Sequence, residues 1–159
     1  MQKINGLINA PFTAFNDDGS INLSVIPRYI EMLVNHGVSG VFVNGSSGEG
    51  HLLTDEERMN CAQAWVNAAP ENFKVIGHVG SDSVGSSQKL ARHAAEIGAY
   101  ATSVMGPLFP KINRVEELAA YCEQIASVTS ELPFYYYHIP AFTGVNISML
   151  ALLQAVDNR

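Results

Sequence analysis

The stretch Gly45-Ser46-Ser47-Gly48-Glu49-Gly50 follows the apolar run Val41-Phe42-Val43 and precedes a helix start at Thr54. Three glycines let the backbone turn tightly and bring N–H groups close to a ligand. Two adjacent hydroxyls add donors, and a turn that presents both is a cradle for an anion. Hydrogen bonds to a charged group contribute about 1.5–3 kcal/mol each, so a carboxylate or phosphate is the ligand such a loop would hold. The same spacing also describes an ordinary Gly/Ser loop that caps the next helix, and spacing alone favours that plainer reading. A nucleotide P-loop is excluded, because no Gly-Lys-Ser/Thr ending follows.

A second group that could do chemistry is Tyr135-Tyr136-Tyr137-His138. In a strand, Tyr135 and Tyr137 share one face and Tyr136 takes the other. A tyrosine at the carboxyl end of a strand can shuttle a proton; three tyrosines filling a core is the competing reading. His78 reads as a core histidine in mid-strand, and His138 stands open between a structural and a substrate role. Glu49 could act as a base or bond its own loop. No histidine pair with a carboxylate has metal-ligand spacing, so no metal site is expected. Of the four lysines, Lys3 and Lys74 precede strands, Lys89 falls in a helix, and only Lys111 lies on the loop side. A Schiff-base lysine needs a pKa depressed by burial or a nearby cation, and none of the four meets that need.

These residues are positioned by a βα pattern repeated five times, at the ~30-residue spacing of such units. The strands are read at Leu7-Ile8, Val38–Asn44, Lys74–Gly80, Tyr100–Met105 and Phe134–His138, the first of them buried. Asn22 or Ser24 caps a first helix with the stripe Ile26, Ile30, Leu33 and Val34. Thr54 and Glu57 form a capping box for a second, whose face is Met59, Ala62, Trp65 and Val66. Ser81 to Ser87 reads as a polar loop, followed by a helix marked by Leu90, Ala94 and Ile97. Asn113 and Glu116 suggest a second capping pair, before the stripe Leu118, Tyr121, Cys122 and Ile125. Asn146 or Ser148 opens the last helix through Leu150, Leu153 and Val156, which runs to Asn158 and Arg159 without a clear cap.

Alternating strands and helices imply a parallel sheet covered by helices. An open doubly wound sheet and a (β/α)8 barrel compete. Polar or small residues inside the strands (Asn44, Gly77, His78, Thr102, Ser103) suit a barrel interior better. In either fold, ligands sit beyond the carboxyl ends of the strands, which collects Thr13, Ser46, Ser47, Glu49, Ser81, Asp82, Ser83, Phe109, Lys111, Tyr137 and His138 at one end. The 159 residues form a single unit, 1–159. A barrel of this type typically needs about 250 residues, so five units are expected to make an incomplete one.

The net charge of -6 carries no basic footprint for nucleic acid. No apolar run reaches membrane-spanning length, and residues 1–11 lack the long apolar core of a signal peptide. Cys61 and Cys122 lack partner spacing and read as reduced thiols on helix faces of a cytoplasmic protein.

The two motifs together, Gly45-Ser46-Ser47-Gly48-Glu49 and Tyr137-His138-Ile139-Pro140, resemble the N-acetylneuraminate lyase and dihydrodipicolinate synthase superfamily of class I aldolases. The resemblance covers essentially the whole chain. The runs from Leu132 to Ala141 and from His93 to Ala99, with Thr143-Gly144-Val145, look most like the animal-type lyases. The resemblance implies a TIM-type (β/α)8 barrel, homotetrameric when full length. It implies a small-molecule 2-keto acid or sialic acid substrate, with no cofactor. Ser46, Ser47 and Gly48 would bind the keto acid's carboxylate, and Tyr137 would relay a proton. The implied reaction cleaves N-acetylneuraminate to pyruvate and N-acetylmannosamine through an imine on a strand-six lysine. That lysine would fall a little beyond Arg159, so this chain is expected to hold no Schiff-base lysine and to be inactive alone. The synthase branch carries an arginine two residues after the proline of the fifth-strand motif. Here that position is Phe142, an apolar residue as in the lyases. The alternatives are another pyruvate-dependent aldolase, such as dihydrodipicolinate synthase, or a short non-catalytic form that binds a partner.

Overall fold

A computed structural model describes residues 3–157. Five strands, β1 (Leu7–Asn9), β2 (Val38–Val43), β3 (Lys74–His78), β4 (Ala101–Met105) and β5 (Phe134–Tyr137), pair in sequential order. Every pairing is parallel. Parallel crossovers are right-handed, so an order without reversal carries every helix to the same face. Side-chain packing agrees. Val41, Val43 and Val75 pack with Ile26, Ile30, Leu33, Cys61 and Trp65, and Val104 and Tyr136 with Leu90, Leu118, Ile125 and Leu152. The doubly wound alternative is thereby excluded, and the sheet is a curled half-barrel.

The helices follow the strands around the outside as α1 (Ile26–Asn35), α2 (Asp55–Ala68), α3 (Val84–Glu96), α4 (Val115–Ala126), the short α5 (Pro140–Thr143) and α6 (Met149–Asp157). Each long helix touches the next long helix. The Thr54–Glu57 capping box forms in full. Asn22 caps a 3-10 turn at Leu23–Val25 that leads into α1.

Several local expectations change. β1 is not buried: Leu7 is 69% exposed on the sheet edge. Val34 leaves the α1 stripe and faces outward. In α2 the buried set is Arg58, Cys61, Ala62 and Trp65, with Met59 and Val66 half-buried. The polar loop after β3 ends early, because Ser83 Oγ accepts from the Ser86 amide and starts α3 at Val84. Asn113 and Glu116 form no capping pair: Arg114 occupies the cap position without a side-chain bond, and Glu116 lies 3.6 Å from its guanidinium. In α6, Leu150, Leu153 and Val156 point outward while Leu152 is buried. The proposed course through Asn158 and Arg159 lies outside the described residues.

Polar residues within the strands divide between two environments. His78 and Ser103 are register partners on the concave face, the face opposite Val75 and Val104. Gly77 instead lies under Ala94 of α3, where a Cβ would come to 3.9 Å, and Thr102 shares that helix-facing side with Val104. Cys61 and Cys122 are both free and buried, and burial pushes their thiols up to about 11 and about 12.

Trp65→Ala, which empties a 2%-exposed position in the core between the sheet and α2, should cost about 3–5 kcal/mol in urea denaturation. Leu153→Ala, at 64% exposure, should cost under about 1 kcal/mol.

Candidate active site

The loop after β2 turns at Asn44, which holds φ 61, a left-handed conformation that asparagine tolerates better than most residues. Glu49 repeats it at φ 56. The amides of Gly48 and Gly50 both donate to the Gly45 carbonyl, that of Glu49 to Ser46, and that of Leu52 to Glu49. The Ser46 and Ser47 amides donate to no loop carbonyl among the described residues and remain open to a ligand, as do their exposed hydroxyls. Two contacts from outside fix the loop. Thr13, after β1, donates its hydroxyl to the Gly48 carbonyl at 2.6 Å, and the Asn44 side-chain amide donates to the Arg58 carbonyl at 2.9 Å. Gly50 packs so tightly on Asn44 that a Cβ there would lie 1.9 Å from the Asn44 carbonyl oxygen.

Ser46, Ser47, Phe42, Ala10 and Tyr137 line one cavity of about 220 Å³ at the carboxyl ends of the strands. Phe42 and Tyr137 meet edge to face, with ring centroids 5.7 Å apart at 69°. Their strands, β2 and β5, are three positions apart in the sheet. In a flat sheet that separation would be about 14 Å, so the contact exists because the sheet curls. A larger cavity of about 360 Å³ lies among Phe73, Lys74, Gly98 and Tyr100. It sits at the amino ends of β3 and β4, away from where βα barrels bind their ligands.

The other residues collected from strand ends do not enter this cavity. Asp82 accepts from the Leu108 and Phe109 amides at 2.7 and 3.2 Å, tying the loops after β3 and β4 together. The Ser81 carbonyl accepts from the Tyr121 hydroxyl, and the Ser81 hydroxyl accepts from the Ser83 amide. Lys111 donates its ammonium to the Thr143 carbonyl at 2.7 Å. Phe109, Glu49 and His138 are exposed, and His138 lies 6.2 Å from the Tyr136 ring. Tyr136, turned to the helix side, has its phenol pushed up to about 12, chiefly by burial.

Sequence reasoning missed what lies beneath the loop. Arg58 is 3% exposed, and its Nη2 donates to the His78 and Gly80 carbonyls at 2.8 and 3.1 Å. His78 packs against Phe42 at 5.8 Å and His51 at 5.4 Å. Burial, then the charge of Arg58, holds His78 well below the usual imidazole range; burial and Arg58 lower His51 as well. The available signal was an arginine one turn into α2, in register with Cys61, Ala62 and Trp65 at i+3, i+4 and i+7.

A curled parallel βα sheet, with a polar loop and a tyrosine converging beyond its strand ends, is the architecture of part of a (β/α) barrel. The dihydrodipicolinate synthetase family matches residues 3–157, and the chain belongs to that family. It is 44% identical to the N-acetylneuraminate lyase of Pongo abelii, over 99% of this chain and 50% of that protein. The fold superimposes on Proteus mirabilis N-acetylneuraminate lyase with a TM-score of 0.95 at 40% identity, covering 99% of this chain and 53% of that one. A prophage protein of the dihydrodipicolinic acid synthase family from E. coli K12, solved in complex with pyruvate, superimposes with a TM-score of 0.89 at 29% identity, covering 97% and 51%. The chain spans about half the length of the curated relatives it matches.

Gly50→Ala should destabilise the chain by about 3 kcal/mol in urea denaturation, since backbone must move to admit the methyl group. A second expectation concerns acid. Below pH 6.5 the unfolded chain takes up protons at His51 and His78 that the folded chain refuses, so stability falls as pH drops. The loss should approach about 1.4 kcal/mol per pH unit for the fully buried His78, with the part-exposed, solvent-screened His51 adding less, read as a falling urea midpoint between pH 7.5 and 5.5.

Proposed function

We propose that this chain carries the keto-acid half of a carbon–carbon lyase site of the N-acetylneuraminate lyase type. The observation that carries the reading is the convergence of Ser46, Ser47 and Tyr137 on one cavity. The Ser46 and Ser47 hydroxyls and amides hold the substrate carboxylate. Gly48, buried against the Pro11 carbonyl and Thr13, lets the loop close behind them. Tyr137, across the cavity, relays a proton between the substrate hydroxyl and solvent or the carboxylate. In the full reaction N-acetylneuraminate is cleaved between C3 and C4 to pyruvate and N-acetylmannosamine, and an imine at C2 takes up the electron pair of the breaking bond.

That imine needs a lysine, and none of the four here is offered to the cavity. Lys3 is exposed, Lys74 lies 5.5 Å from the Tyr100 ring centroid at the amino end of β3, Lys89 approaches Asp55, and Lys111 is bonded to Thr143. The role read for this chain is therefore to bind and orient the keto acid, with none of these four lysines forming the imine. The full barrel is inferred to work as a cytoplasmic homotetramer. Phe142, where the synthase branch has arginine, supports the lyase over dihydrodipicolinate synthase. A second reading, a non-catalytic segment that pairs with another polypeptide, is favoured by the exposed Leu7, Leu150 and Leu153 at the two open edges.

Calorimetric titration with pyruvate tests the binding role. The double substitution Ser46→Ala with Ser47→Ala should weaken binding tenfold or more, at about 1.5 kcal/mol or more per lost bond. Tyr137→Phe should leave it within about threefold, because a proton relay contributes to a chemical step and not to ground-state affinity. Borohydride with pyruvate should trap no covalent adduct; an adduct mapped to Lys111 would overturn the lysine assignment.

A further inference from the structure

Among the described residues, Arg58 is a buried cation without a buried anion to match it. Its guanidinium contacts are neutral: the His78 and Gly80 carbonyls at 2.8 and 3.1 Å, and His78 Nδ1 at 3.4 Å. Its Nε has no hydrogen-bond partner among the described residues. Two carboxylates act on this neighbourhood, Asp55 on Arg58 and Asp82 on His51, and both are committed elsewhere. Asp55 accepts from the Ser86 hydroxyl and faces Lys89 at 4.0 Å, while Asp82 accepts the Leu108 and Phe109 amides. Burial lowers the Arg58 pKa only to about 10, so it stays charged at neutral pH. The two imidazoles beside it are held neutral and add no charge of their own.

This charge sits behind the keto-acid cavity. Arg58 grips the carboxyl end of β3, His78 packs on Phe42, and Phe42 lines the cavity with Ser46 and Ser47. The Arg58 carbonyl also receives the Asn44 side chain that anchors the serine loop. Among the described residues the cavity lining holds no cation, in a chain whose net charge is -6. A charge in a low-dielectric interior acts over a longer range than one in water, and fixed protein charges of this kind set the local potential whatever the net charge.

We propose that Arg58 is an electrostatic positioning residue, supplying from beneath the loop the positive potential that makes the Ser46–Ser47 cavity select an anionic keto acid over a neutral ketone. The inference rests on the keto-acid reading above and adds to it the origin of the charge preference. A purely structural role for Arg58 would move the affinities of charged and neutral ligands alike, whereas an electrostatic role separates them.

The test titrates the 159-residue chain and its variants with pyruvate and with pyruvamide, its uncharged amide. Arg58→Met keeps the apolar stem and removes the charge. It should weaken pyruvate binding about tenfold and change pyruvamide binding less than twofold. Arg58→Lys keeps the charge and should hold the pyruvate-to-pyruvamide preference within threefold of wild type. Arg58→Gln gives the same comparison should the methionine variant fail to fold, and the lysine result stands by itself should both fail. Equal weakening of the two ligands in a neutral variant, or loss of the preference in the lysine variant, would overturn the proposal. Failure of the wild-type chain to bind either ligand would instead overturn the keto-acid reading, and this inference with it.

Discussion

The edge-to-face contact between Phe42 and Tyr137 is the interaction on which the site depends. It joins two strands that hydrogen bonding keeps three places apart, and it can form only if the sheet curls. The curl follows from features of the chain that are individually ordinary. Sequential parallel pairing places every helix outside, and each long helix packs on the next. Side chains of alternating parity then have no helix to face and converge on one another. Phe42, His78, Met105 and Tyr137 meet on that concave side because Val41, Val43, Val75 and Val104 claim the other.

Below the mouth of this half-barrel, polar groups are buried in a connected series. Thr13 holds Gly48, Asn44 holds the Arg58 carbonyl, and the Arg58 guanidinium holds the end of β3. Buried hydrogen bonds are costly to break because the group left behind is not resolvated. The serine loop thus rests on a rigid base although its own hydroxyls are exposed. Rigidity under an open donor set is what pre-organises a site for a small anion. The two open edges contrast with this base, since apolar residues there lie uncovered on β1 and α6.

Much of this was legible in the sequence, and the reasons differ from element to element. The Thr54–Glu57 box and the glycines after α1 and α3 are local signals, and local geometry obeyed them. The five strands and the pairing of the serine loop with Tyr137 followed from the repeated pattern and from two motifs. What escaped was set by tertiary neighbours. Leu150, Leu153 and Val156 share a helical stripe, but α4 contacts the stripe that contains Leu152. Leu7 looks like a core residue and lies on an edge. Arg58 follows three acidic residues at the start of α2, and only the approach of β3 reveals the carbonyls that bury it. The role of Phe42 was hidden for the same reason, since its partner is 95 positions away and meets it through curvature rather than pairing.

The proposed role has the Ser46–Ser47 loop and Tyr137 together receive a 2-keto acid in the half-barrel itself. The most direct measurement is an amide and aromatic NMR titration of the chain with pyruvate. The Ser46 and Ser47 amides and the Tyr137 ring should shift together, along one saturable curve, while Lys74 and Tyr100 stay still. Shifts centred on Lys74 and Tyr100, or a silent Ser46–Ser47 pair at saturating pyruvate, would contradict it.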